Sequence, residues 1–157
     1  MPGGGEMMNI RNIEKLINLL EKTKTYHQTN YVEWCNSPGC IAGHAVYLKY
    51  NLANSTKTME DLMLEIEFFE VASDYLGFDR KKPVAKELFH PHPLNKALNA
   101  HYKNESMYQA KRFGRDHLNP TPQDAIQVLR HLIETGEVDW GICLQETKQM
   151  ESRDIGE

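Results

Sequence analysis

The sequence has few cysteines and no surplus of positive charge. Three cysteines among 157 residues is an odd number. With no export signal in view, this predicts free thiols in a reducing compartment rather than a disulfide framework. Aromatic residues make up 9% of the chain, and the formal net charge is −4. An acidic balance excludes a chain that grips nucleic acid over its whole surface. The opening "MPGGGEMMNIRN" has no basic stretch followed by an apolar one, so no signal peptide is expected. No apolar run approaches the length that spans a bilayer. No internal repeat is visible, and strand-like alternation is missing throughout.

What is present is helical periodicity. The length and the 40% hydrophobic content suit one globular domain with a real core. We expect it over residues 9–144, with frayed ends at 1–8 and 145–157. Ile10, Ile13, Leu16, Ile17 and Leu20 recur at three- and four-residue steps, which predicts a helix from Ile10 to Lys22. Ser37 and Pro38 predict the cap and first residue of a second helix, running from Pro38 to Tyr50. That helix is apolar nearly all round, through Ile41, Ala42, Ala45, Val46 and Leu48, so it should be central and buried. A third helix is expected from Thr58 to Leu76, opened by a Thr58/Asp61 capping box and stopped by Gly77. Its apolar side is read as Met59, Leu62, Met63, Ile66, Phe69, Ala72 and Leu76.

Leu88 and Phe89 suggest a short helical turn, broken by the prolines of "HPHP". Residues 94–118 are the least periodic, with a weak helix over 94–102. The last helix opens on Thr121, Pro122 and Asp124 and stops at Gly136, and Val138 and Trp140 should fold back onto the core. The class is therefore all-α: a compact single-domain bundle of about four main helices around a buried central one.

Two segments carry a resemblance. "CNSPGCIAGHAV" (35–46) resembles a C-x4-C-[apolar]-A-G-[H/W]-A segment of small uncharacterised bacterial and phage proteins. "TPQDAIQVLRHLIETGEVDW" (121–140) is similar to their closing helix. Together they cover about a fifth of the chain, and residues 78–118 have no counterpart. The resemblance implies a compact helical domain with a cytoplasmic, phage-related origin, and it brings no established reaction. Tryptophan also stands in those proteins at the place of His44, so His44 is not an obligatory ligand or base among them.

The same stretch supplies the candidate chemistry. Residues four apart share a helix face, so Cys40 and His44 could reach one ion. Zinc would take Cys35, Cys40, His44 and His90, with His92 close by, although C-x4-C is wider than the usual knuckle. A cysteine hydrolase or transferase would use Cys40, in the first turn where the helix dipole favours thiolate, with His44 as base. His27, His90 or His101 could replace that base, and Asp116 or Asn119 could orient it. The leading reading is structural: a small buried cysteine, and a histidine tied to one partner. A Cys35–Cys40 disulfide is sterically feasible, but the expected compartment argues against it.

A second pattern is basic. Lys96, Lys103, Lys111, Arg112 and Arg115 are interleaved with Tyr102, Tyr108 and Phe113, a mixture that can hold single-stranded nucleic acid. The plainer reading is a solvated segment anchored by its rings. Taken together, these features predict a small non-catalytic accessory or interaction protein that binds an unknown partner or a second copy of itself. The alternatives are the cysteine enzyme and the zinc or nucleic-acid module.

Overall fold

A computed structural model describes residues 8–24, 26–30, 38–79, 81–99, 110–115 and 117–144. Among them the fold is all-α, with no strand. In chain order the helices are α1 (Ile10–Lys22), α2 (Ile41–Lys49), α3 (Met59–Glu65), α4 (Phe68–Leu76), α5 (Val84–Leu88), α6 (Pro93–Asn99) and α7 (Pro122–Thr135). Short 3-10 turns lie at Leu52–Asn54 and Trp140–Cys143. Of the expected frayed ends, 1–8 and 145–157, all but Met8 lie outside the described residues.

α1 forms where the periodicity places it. Asn9 caps it, its side chain accepting from Asn12 N at 3.0 Å; of the expected stripe Ile13, Leu16, Ile17 and Leu20 are buried, whereas Ile10, in the first turn, is exposed. The first turn of α1 also completes the end of α4. Asn9 N donates to Leu76 O at 2.8 Å, and Asn12 Nδ2 donates to Tyr75 O at 2.7 Å. Both carbonyls belong to the last turn of α4, whose other carbonyls, Ser73 O and Asp74 O, accept from Phe78 N and Gly77 N.

α2 is the buried centre, with every residue from Ile41 to Val46 inside. It packs on α4 and α1, and α1 in turn packs on α7. Its start differs from the sequence expectation. The helix begins at Ile41 rather than Pro38, and Cys40 is its extended N-cap. The preceding backbone is committed elsewhere: His27 N donates to Gly39 O at 2.9 Å, and Cys40 N donates to Asn30 O at 2.7 Å. These bonds hold Gly39 and Cys40 against the 27–30 loop and delay the helix. Ser37, expected as the cap, lies outside the described residues.

The expected third helix is two helices. Thr58 and Asp61 do form the capping box of α3. The chain then turns extended at Ile66, and the Glu67 side chain accepts from Phe69 N at 3.1 Å to cap α4. Phase explains the break. An unbroken helix carrying Leu62 inward would carry Ile66 and Phe69 inward as well, and would turn Phe68 away. The extended residue resets the phase, so that Phe68, Ala72 and Leu76 are buried. Met63, read as core, is exposed instead. Gly77 ends α4 at φ +78°, as its position predicted.

Residues 81–99 hold more helix than the sequence suggests. α5 and α6 bury Ala85, Leu88, Leu94 and Leu98. Thr121 caps α7 as predicted, Asp124 closes a capping box with it, and the helix ends at Gly136 with φ +80°. Beyond it Trp140 is buried, and its Nε1 donates to Glu87 O at 3.1 Å, tying the 3-10 turn to α5. That turn also packs on α6 and α7.

Candidate functional site

Cys40 and His44 meet at the N-terminus of α2, but through the backbone. His44 Nδ1 lies 2.8 Å from Cys40 O, and Nε2 lies 2.8 Å from Thr23 Oγ1. A carbonyl only accepts, so Nδ1 carries the hydrogen and Nε2 accepts from the Thr23 hydroxyl. Both nitrogens of a neutral imidazole are thus occupied. The Cys40 Sγ turns the other way and accepts from Gly43 N at 3.5 Å, where a cap side chain belongs.

Burial governs the chemistry of both groups. His44 is fully enclosed and Cys40 is 3% exposed. Burial pushes the Cys40 thiol up to about 11, against a smaller lowering by the backbone N–H groups of the helix start. The group is therefore a thiol at neutral pH, and the thiolate is the nucleophile. Burial lowers His44 to about 4, against smaller upward effects from the Cys40 and Gly39 backbone. The Tyr26 ring lies 5.9 Å from that of His44 between centroids. A base needs a free ring nitrogen facing its nucleophile, and His44 does not present one.

A polar chain continues from this point. The Tyr26 hydroxyl donates to Gln28 Oε1. The buried Gln28 amide then donates to His90 O at 2.8 Å and to Leu88 O at 3.3 Å. The 26–28 loop is thereby fastened to the end of α5. The Gln28 contact with His90 uses the backbone of His90, whereas its ring Nδ1 accepts from His92 N at 2.9 Å. Cys35 lies outside the described residues. Among the described residues no three His, Cys, Asp or Glu side chains gather as a metal ion requires.

His90 and Lys96 line a cavity of about 210 Å³ beside Trp140, together with Glu87 and Asp139. Burial lowers the His90 pKa, with smaller contributions from Lys96 and His92. A wider cleft of about 540 Å³ lies along α1 and α7, where Arg130 and Glu21 pair at 3.1 Å.

The basic segment divides. Lys96, Lys111 and Arg112 are exposed, and Lys103 lies outside the described residues. Arg115 is turned inward. Its Nη1 and Nη2 donate to the two carboxylate oxygens of Asp124 at 3.1 and 2.6 Å, and its side chain is only 15% exposed. It also donates to His117 O and Asn119 O. The same Asp124 carboxylate accepts from Thr121 N at 2.9 Å. Arg115 thus braces the entry of α7. Asp116, proposed as an orienting group, lies outside the described residues, and Asn119 is exposed.

The chain matches no protein-family model, no curated protein and no solved structure.

Sequence reasoning reached Cys40 and His44 but missed Thr23, Gln28 and the Arg115–Asp124 pair. Asp124 was visible as an acidic residue in the first turn of the last helix. Its second role has no spacing signature, because a nine-residue separation across a non-helical loop sets no geometry. Gln28 gave no signal, since nothing in "YHQTN" distinguishes a buried amide from a solvated one.

Proposed function

We propose that this is a small, non-catalytic helical accessory protein that acts by binding a partner, with the Cys40–His44 cluster serving to join α2 to the 23–30 loop. The observation that carries this reading is the internal use of both His44 nitrogens, beside a thiol that burial keeps protonated. An enzyme built on Cys40 would need an accessible thiolate and a free base, whereas Cys40 is enclosed and His44 has both ring nitrogens bonded. The resemblance to small bacterial and phage proteins agrees with a cytoplasmic, phage-related accessory role. No helix among the described residues is long and apolar enough to cross a membrane.

The test is thiol alkylation of the native protein between pH 6 and 9, with each cysteine followed separately by peptide mass spectrometry. Cys40 is expected to stay unmodified until the protein is unfolded. Rapid modification of Cys40 below pH 7 would overturn the reading and restore the enzyme.

A further inference from the structure

Among the described residues the most exposed large apolar side chain lies on α3. Leu64 is 91% exposed and its neighbour Met63 is 49% exposed. α3 is held down by Met59 and Leu62, which are buried on its other side. The phase of α3 sets this arrangement: with Met59 and Leu62 inward, Leu64, two positions on from Leu62, falls on the opposite side of the helix.

The surroundings of these two side chains are acidic. Glu60 and Asp61 precede Leu64 by four and three positions and share its side of the helix. Glu65 and Glu67 follow, and all four are exposed. Residues 57–79 contain seven carboxylates and a single basic side chain, Lys57. Lys57 pairs with Glu65 at the edge of the patch.

An apolar centre with a rim of one sign selects its partner by charge. A second copy of this chain meeting the face about a two-fold axis would set the same carboxylates against one another. Anionic lipid and nucleic acid are disfavoured for the same reason. A helix with leucines on one face and lysines or arginines beside them satisfies both the apolar centre and the rim. We propose that the Met63–Leu64 face of α3 docks a basic amphipathic helical segment of another protein. This rests on the partner-binding reading above and names its surface and its kind of partner.

The experiment uses the full-length chain and a labelled synthetic peptide of about two heptads of leucine and lysine. A second peptide has every lysine replaced by glutamate. Fluorescence anisotropy should show saturable binding of the lysine peptide, weaker at higher salt, and none of the glutamate peptide. L64S should raise the Kd at least about tenfold while leaving the urea midpoint unchanged, which separates lost docking from lost folding. Equal binding of both peptides, no saturable binding, or indifference to L64S would overturn the proposal. So would a dimer seen by sedimentation that L64S dissolves, since a second copy would then cover the face. Failure here with Cys40 still inert to alkylation removes this surface alone. Rapid Cys40 alkylation removes the underlying reading.

Discussion

His44 is a neutral imidazole enclosed by protein, and its environment makes stability depend on pH. Its pKa in the folded state is lowered to about 4 from an ordinary value of 6.5. Above pH 6.5 the ring is neutral in both states and has no effect. Below it, the unfolded chain takes up a proton that the folded chain refuses, so stability falls with pH until the folded value is reached. The loss should total about 3 kcal/mol between pH 6.5 and 4. Urea midpoints at pH 7 and pH 4.5 should differ less for His44→Gln than for the natural protein, because that variant has no such group to titrate. An equal drop in both would show that other groups carry the acid sensitivity. The residue scale is also where the sequence was least legible. Cys40 and His44 were visible as a close pair, but their bonds run to Gly43 N, Cys40 O and Thr23 Oγ1. One of those partners lies twenty-one positions away, and local spacing does not encode it.

At the scale of elements, caps and stops were largely legible because they are local chemistry. The capping box of α3, the Thr121 cap of α7 and the glycine ends of α4 and α7 are where the residues predict them. Gly136 illustrates how such a stop works. It sits at φ +80°, and a Cβ added there would meet nothing within 4 Å. Gly136→Ala should therefore cost about 1 kcal/mol from backbone strain alone, with no clash to relieve. Thr121→Ala at the other end should cost a similar amount, about 1 kcal/mol, by removing the hydroxyl that accepts from Asp124 N. Chemical denaturation of the two single variants and the double variant should give additive losses, since the sites lie at opposite ends of α7. A Gly136→Ala loss several times larger would mean that packing, not conformation, selects glycine here. Where the element reading failed, tertiary contact had overruled it. The start of α2 is delayed by its pairing with the 27–30 loop, and the split of α3 from α4 re-phases two apolar stripes that one helix could not both bury.

Over the whole molecule, burial separates leucines that look alike in the sequence. Leu129 is fully enclosed on α7, and Leu64 stands in solvent on α3. Leu129→Ala should destabilise by about 3 kcal/mol, combining lost transfer energy with a cavity. Leu64→Ala should stay within about 0.5 kcal/mol. Thermal or urea unfolding of both variants measures the contrast, and a large loss in Leu64→Ala would show that α3 packs more deeply than this fold allows. The same distinction divides the basic segment. Arg115 looked like Lys111 and Arg112 in the sequence, yet it is drawn inward to Asp124 while they remain at the surface.

The sequence by itself determined the all-α class, most of the stripe of α1, the central and nearly all-round apolar character of α2, and the chemistry that ends α4 and α7. These follow from periodicity and from the conformational preferences of a few residues, which act over one or two turns. Only the tertiary structure decided that Cys40 is a buried cap of α2, that His44 is saturated by Thr23 and a carbonyl, and that Leu64 is left outside. Each of those outcomes depends on which distant segment arrives beside the residue, and on how much water that arrival removes.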